Sequence, residues 1–453
     1  MTTSSEVAGP RSGLRGFVSS MWGADGKLGA AAVGTVGTNL GGTALRFVTQ
    51  VILARWMGAA TYGQFVIGRG WGELLAKVPN RGYQMTSVRF LPRYEAEGEW
   101  SLFRGLLWLS RTETLLLGLG LSAASISIYV ATTGDADPAI VAGLALAPAL
   151  AMVTTTRSLL QGVHRYVPAT ALTELVQPVI FALAIGALVL FGTVSAATAL
   201  WIYVATMIAI AVMEGVMLRR AMPGPARDVP RRFDRRRWVE TARPLFVAQL
   251  AIATLGLADV LIVGAVVGPV DAGLYAVATR IAVMGRVVNS GLESVVAPRI
   301  AHAWSRSDTE TIQRTIDRAI RTSILPTLGF VVIASVLATP LLSIFGEQFV
   351  EARVVLWILL AGNVANALTG PSGYVVALTD SERVYAVVMA AHAIVLVVLA
   401  WVLAHVGGIV AVALVQSCVT VSWNASMVVL ARRRLGVCCY PRRDTVRTPR
   451  RND

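Results

Sequence analysis

The chain has 453 residues, 55% of them hydrophobic and only 15% charged. Soluble domains carry about 25% charged residues, so a string of soluble domains is excluded. The formal net charge of +14 is confined to certain connections between apolar runs, which argues against a nucleic-acid surface. Three cysteines, Cys418, Cys438 and Cys439, are too few for a disulfide framework, and no Cys/His spacing matches a zinc site. No cofactor or metal is expected.

In chain order, residues 1–28 form a segment in which Leu14, Phe17, Val18, Met21 and Trp22 make the apolar stripe of an interfacial helix. The first apolar run starts near Gly29 and continues for a full span, so it reads as a retained first helix, not a cleaved leader. Crossing a hydrocarbon core takes about 20 apolar residues. Twelve such spans are predicted, at 30–54, 62–86, 108–132, 139–162, 167–191, 194–217, 245–267, 272–296, 323–346, 354–378, 384–405 and 408–430. The fold class is an all-α polytopic membrane protein of about twelve helices.

The termini and the alternate connections expected on one side together hold 30 Lys and Arg, whereas the other side carries only Arg55 and Arg353. The positive-inside rule then puts both termini in the cytoplasm and the chain in the inner membrane. Residues 218–244, with Arg231-Arg232 and Arg235-Arg236-Arg237 among Pro223, Pro225 and Pro230, read as a basic linker suited to anionic headgroups. The linker divides a first lobe (29–217) from a second (245–430). A basic tail (431–453) follows, expected to be disordered. Cys438 and Cys439 read there as plain thiols, with acylation the alternative.

A shift of 210 residues places Gly58 on Gly268, Gly63 on Gly273, Arg89 on Arg299, Arg104 on Arg314, Arg111 on Arg321 and Thr112 on Thr322. Six spans per repeat is an even number, so the six-helix lobes point the same way and are related by a pseudo-two-fold along the membrane normal. Substrate is expected between them.

Charges at membrane depth cost at least about 2.5–3.5 kcal/mol and survive facing a wet cavity or a partner. Arg69, Glu73, Lys77 and Arg81 recur every fourth residue, which lines them along one helical face. Arg46 lies at similar depth in span one. Asp259 and Arg280 are each nine residues from the 268–271 turn and are expected to pair across their hairpin; Arg286 and Glu293 lie deeper. These nine residues carry six positive and three negative charges. Such a cationic chamber draws anions, and guanidinium forks match phosphate oxygens. Arg46, Arg69, Lys77, Arg280 and Arg286 are the candidate diphosphate ligands, with Glu73 and Asp259 as charge partners or ion-coupling groups. Mutual ion pairing that only fixes helix packing is the competing explanation, favoured for Arg81 and Glu293. Arg157 and Glu174 read as a structural pair or a substrate contact. Asn363, Asn366, His392 and Asn424 read as interhelical hydrogen-bonding groups, and Gly37 and Gly41 as a close-packing motif.

The run Leu53-Ala54-Arg55-Trp56-Met57-Gly58-Ala59-Ala60-Thr61-Tyr62-Gly63-Gln64-Phe65, with Val88-Arg89-Phe90-Leu91-Pro92-Arg93-Tyr94 and Glu97-Gly98-Glu99, resembles the polysaccharide flippases of the multidrug/oligosaccharidyl-lipid/polysaccharide exporter superfamily. Ala258-Asp259-Val260-Leu261-Ile262-Val263-Gly264, Val296-Ala297-Pro298-Arg299-Ile300-Ala301 and Phe345-Gly346-Glu347-Gln348-Phe349 are similar to that family's second-lobe segments. The resemblance implies a central cavity, alternating access and a polyprenyl-diphosphate-linked oligosaccharide as substrate. Membrane lipids and a polysaccharide polymerase or glycosyltransferases are the implied partners. Arginines of the first, second and eighth helices line the chamber in related lipid II flippases; Arg46, Arg69 and Arg280 or Arg286 occupy those helices here. Two other readings stand beside it. A cation-coupled drug exporter of the same superfamily would use Asp259 or Glu174. A membrane glycan polymerase or ligase would need larger outer loops than these. No GxxxxGK[ST] phosphate loop is present, so the chain is not expected to hydrolyse ATP or to act as an enzyme.

Overall fold

In hydrocarbon every backbone N–H and C=O must be satisfied within its own segment, which leaves helices as the solution for long apolar runs. The computed structural model describes residues 26–190, 192, 194–286, 296–297, 299–306, 308–377 and 382–440, and among these every regular element is helical. The expected interfacial stripe at 14–22 and the residues beyond 440 lie outside the described residues.

Helix α1 (Gly26–Leu75) carries the first two spans, bent at Gly58 with φ 71° and ψ 171°, a backbone conformation that glycine alone adopts cheaply. The second span ends in α2 (Lys77–Asn80), and left-handed turn residues Arg81 and Gly82 lead into α3 (Tyr83–Glu97). Next come α4 (Trp100–Thr133), α5 (Pro138–Ala145) and α6 (Ala147–Gly162), then α7 (Tyr166–Ala171), a π-helical turn (Leu172–Val176), α8 (Gln177–Val189) and α9 (Ala196–Ala221). These make the first lobe. The second lobe holds α10 (Arg235–Val266), α11 (Pro269–Met284), α12 (Thr309–Val336), α13 (Ala338–Ser343), α14 (Arg353–Thr369), α15 (Ser372–Ala377) and α16 (Glu382–Leu435). Helix α16 contains the last two spans, bent at Gly408. Counting the paired spans of α1 and α16, the chain is a twelve-helix, two-lobed bundle with a pseudo-two-fold axis along the membrane normal.

Three helices run past the apolar windows. Helix α4 starts at Trp100, α10 at Arg235 and α12 at Thr309, each well ahead of its expected span. These extensions are amphipathic, so hydropathy does not mark them. Two of them have local start signals: the Asp234 side chain accepts from the Arg237 N–H, and that of Asp308 from the Thr311 N–H.

The linker also differs from a free hinge. The Arg232 N–H donates to the Ser101 carbonyl at 3.0 Å, Arg104 Nη1 to the Val229 carbonyl at 2.5 Å, and Trp238 Nε1 to Tyr94 Oη at 2.9 Å. Trp238 is fully buried. The linker is a strap bound to the first lobe because α3 and α4 supply acceptors, donors and an apolar seat for it.

The tail is ordered further than expected. Gln313 exchanges two 2.8 Å hydrogen bonds with the backbone of Cys438, and Val437, Cys438 and Cys439 are buried. Burial pushes the Cys439 thiol up to about 12, and only the thiolate is nucleophilic. Acylation at these cysteines is therefore disfavoured.

The lobes meet at the end that carries the Gly58 and Gly268 turns, here the turn end; the opposite end, with the strap, is the linker end. The repeat-equivalent glycines Gly63 and Gly273 face each other across the axis. A Cβ on Gly63 would lie 1.7 Å from the Pro269 carbonyl oxygen, and one on Gly273 2.4 Å from that of Ala59. Phe47 packs edge-on against Phe345 and Tyr62 against Phe349 beside this crossing. Gly264 sits on Ile67, and Gly70 on Leu261. At the linker end of α11, Val283 and Arg286 are exposed. The seam is closed at the turn end. The expected Gly37 and Gly41 motif is not the tight contact of α1: Gly37 has nothing within 4 Å, whereas a Cβ on Gly42 would lie 2.7 Å from Glu174 Cβ.

Alanine at position 63 or 273 is expected to force α1 and α11 apart at the turn end and to cost about 1–3 kcal/mol. Thermal unfolding in detergent and spin-label distances across the turn end measure both effects; unchanged distances in both variants would overturn the assignment of this crossing as the closure. Iodoacetamide at pH 8 is expected to leave Cys438 and Cys439 unmodified in the folded protein and to label them after denaturation, as read by mass spectrometry.

Candidate functional site: a ladder of charges at the lobe seam

The second half of α1 presents every fourth residue to one face, and that face turns toward the seam. Arg69 Nε donates to Glu73 Oε1 at 2.6 Å, and the Arg69 guanidinium lies 5.0 Å from the centre of the Tyr203 ring of α9. Their side chains are 17% and 25% exposed. Arg280 enters from α11 and interacts electrostatically with Arg69, Glu73, Tyr62 and Tyr203. No ion pair to Arg280 occurs among the described residues. One guanidinium from each lobe therefore lies within the field of Glu73, and Arg69 alone is paired with it.

One turn further, Lys77 lies within the fields of Glu73 and Arg157 and makes no ion pair among the described residues. Arg157 of α6 stands 3.6 Å from Glu174 Oε1, and Arg46 of α1 pairs with Glu174 Oε2. Glu174 occupies the π-helical turn, an irregularity that often marks functional positions. Gly42 lets α1 approach this turn closely enough for Arg46 to reach it. Beside it, Thr173 Oγ1 donates to Glu214 Oε1 at 3.0 Å, while buried Glu214 Oε2 has no hydrogen-bond partner.

The assembled ladder runs Arg280, Arg69, Glu73, Lys77, Arg157, Glu174, Arg46, with Glu214 alongside. Five cations face three carboxylates, which leaves an excess of two positive charges. Inside a low-dielectric wall such an excess attracts anions strongly.

Several expected members are elsewhere. Asp259 and Arg280 do not pair. Asp259 is 2% exposed and accepts from Tyr275 Oη at 3.1 Å and from the Val260 N–H at 2.8 Å. Tyr275 and Arg280 are five residues apart on α11, about 140° around the helix, so a helix that turns Tyr275 to Asp259 turns Arg280 away from it. Asp259 is thus no charge partner within the ladder. Arg81 sits at the linker end, 3.8 Å from Glu113, outside the ladder. Arg286 follows the end of α11 and is exposed, about 9 Å along the axis from Arg280. Glu293 lies outside the described residues. The expected polar contacts of the second lobe form: Asn363 Nδ2 donates to the Ala282 carbonyl, Asn424 Nδ2 to Asn366 Oδ1, and His392 Nε2 lies 3.2 Å from Ser422 Oγ.

Sequence reasoning missed Glu214, Tyr62 and Tyr203. Glu214 had a usable signal, a carboxylate inside the sixth apolar run. The tyrosines had none, because a tyrosine toward the end of a span reads as an interfacial anchor.

The family described as "Polysaccharide biosynthesis protein" matches residues 31–304, and the MatE family matches residues 244–402. A search of curated proteins returns no match. Among solved structures, an inward-facing multidrug resistance MATE family transporter of the MOP superfamily is 13% identical over 87% of this chain and 94% of its own, with a TM-score of 0.73. An outward-facing MATE family transporter of that superfamily is 12% identical over 90% of this chain and 95% of its own, at 0.62. A MOP superfamily transporter from Pyrococcus furiosus, described as having a binding pocket of reversed polarity that suggests a different function, is 14% identical over 90% of this chain and 95% of its own, at 0.62. With its twelve-helix lobes and more than half its length matched, the chain belongs to the polysaccharide biosynthesis protein family, within the MOP superfamily of membrane transporters.

Proposed function

We propose that the chain is a flippase that carries a polyprenyl-diphosphate-linked oligosaccharide from the inner to the outer leaflet of the cytoplasmic membrane, both termini being cytoplasmic. The observation that carries this reading is the placement of Arg280 within the field of the Arg69–Glu73 pair beneath the Gly63–Gly273 closure. Like charges held together at low dielectric repel strongly, and one carboxylate cannot balance two guanidiniums. A diphosphate supplies the missing negative charge with oxygens that accept from both forks. Lys77 and Arg157 extend the cationic path toward the linker end, from which the headgroup arrives. The sugars then occupy the seam while the polyprenyl chain stays in lipid.

With the anion bound, the pull between the lobes is satisfied, and rocking about the axis opens the turn end. An ion gradient, the membrane potential or consumption of product outside supplies the energy. Glu214, with its unsatisfied Oε2, and Glu174 are the carboxylates placed to hold a coupling cation. That buried carboxylate is also the one observation favouring a cation-coupled drug exporter, but the ladder's positive excess opposes a cationic drug. The Pyrococcus furiosus transporter, described as having a pocket of reversed polarity, is consistent with substrate charge varying on this fold.

Arg69→Gln and Arg280→Gln are each expected to reduce transport of a fluorescent polyprenyl-diphosphate oligosaccharide in proteoliposomes by at least about ten-fold, since a charge-assisted hydrogen bond contributes about 1.5–3 kcal/mol. Efflux of a cationic dye by the wild-type protein, with normal glycolipid transport in both variants, would overturn the assignment in favour of drug export. Arg46→Gln leaves Glu174 with Arg157 alone and is expected to lose about 1–3 kcal/mol, whereas Arg46→Gln/Glu174→Gln recovers most of it. Thermal unfolding of the two variants measures the coupling, and additive losses would show that the pair is not a unit.

A further inference from the structure

The linker end holds a second concentration of positive charge that the ladder does not use. A cavity of about 520 Å³ lies between the left-handed turn after α2 and the first turns of α10, and its charged walls are Arg81, Glu113, Arg235, Arg236, Glu240 and Arg243. A smaller cavity of about 160 Å³ shares Arg81, Val239 and Arg243 and adds Tyr83, Ala242 and Phe246, so that Val239, Ala242 and Phe246 form an apolar floor. Four arginines face two glutamates, an excess of two positive charges.

The ion pairs consume only part of that charge. Glu113 accepts from Arg235 and, at 2.5 Å, from Tyr83 Oη, while Arg81 stands 3.8 Å away. Glu240 takes Arg236 at 3.0 Å. Arg243 makes no ion pair among the described residues. Its place in the chain is telling: it lies two residues before the apolar span Leu245–Val266, and Arg81 lies just past the end of the second span. Both guanidiniums stand where hydrocarbon gives way to headgroups. The strap holds α10 in place through buried Trp238, so the pocket is rigidly framed on both sides.

The geometry points to a binding site for the phosphodiester headgroup of an anionic membrane phospholipid, held between Arg81, Arg235 and Arg243 in the leaflet at the linker end. A guanidinium fork donates to two phosphate oxygens at a time. The glycerol and first methylenes of the acyl chains cover Val239, Ala242 and Phe246. Free phosphate would satisfy the arginines and leave that floor wet, so an amphiphile is the better occupant. A lipid bound there bridges the α2–α3 turn to α10 and supplements Glu113 in pinning α10 to the first lobe. The site is separate from the ladder and does not depend on what the ladder transports.

The test uses the full-length protein in detergent and reads retention of phosphatidylglycerol by native mass spectrometry, with phosphatidylcholine, glycerophosphate and inorganic phosphate as comparison probes. Phosphatidylglycerol is expected to bind at least about ten-fold more tightly than phosphatidylcholine, and the two soluble phosphates to displace none of it at equal concentration. Arg243→Gln is expected to weaken that binding about ten-fold and Arg243→Lys much less. Arg236→Gln, at the exposed rim, removes charge without touching the Glu113 contacts and is expected to weaken it by a smaller factor. Equal binding of the two lipids would overturn the proposal, as would displacement by soluble phosphate or wild-type affinity in both glutamine variants.

Discussion

Backbone contact between Gly63 and Gly273 is the constraint from which the arrangement of the site follows. Only a pair of residues without Cβ atoms lets α1 and α11 cross this closely. Because the two glycines are repeat equivalents, the crossing falls on the pseudo-two-fold axis. Arg69 lies six residues beyond Gly63 and Arg280 seven beyond Gly273, so each sits about 9–11 Å below the crossing. The closure and the convergence of the two guanidiniums are therefore one geometric fact. A closed turn end brings like charges together, and the energy needed to hold them is reduced by an anion between them.

The charges beneath that crossing fall into two levels with different degrees of balance. Near the axis, Arg69 pairs with Glu73 while Arg280 lies within the field of both, and the level is short of negative charge. Farther into the first lobe, Glu174 takes both Arg46 and Arg157, while Glu214 stands beside them satisfied at only one oxygen. The first level is suited to receiving a ligand and the second to holding helices α1, α6, α9 and the π-helical turn in register. Lys77 lies within the fields of both levels, of Glu73 in the first and Arg157 in the second.

Apolar length made the spans legible in the sequence, and the 210-residue shift made the lobes and the Gly63–Gly273 equivalence legible, although not that the two glycines touch. The four-residue spacing of Arg69, Glu73 and Lys77 gave the seam-facing stripe. The failure at Asp259 and Arg280 shows the limit of depth as a guide: equal distance from a turn fixes height, while pairing also needs helical phase, and Tyr275 had already claimed the Asp259 face. The strap was illegible for a different reason. Its anchors at Ser101 and Val229 are backbone carbonyls, which carry no sequence signature. Glu214 was legible by the same rule that picked out Glu174 and was simply passed over.

Helix α10 answers to both lobes, and this shapes how they can move. Its first turns belong to the first lobe, where Trp238 bonds Tyr94 and the Ala242 carbonyl lies against Gly82. Its later turns belong to the second, where Gln416 of α16 donates to the Leu255 carbonyl at 3.2 Å. Any rocking of the lobes must therefore be absorbed within α10, between these two attachments. Pro244 stands in that interval, and proline has no N–H to bond back to the preceding turn, so bending there breaks one hydrogen bond fewer than elsewhere in the helix. The strap fixes the first turns of α10 to the first lobe, so Pro244 lies just beyond the anchored part of the helix.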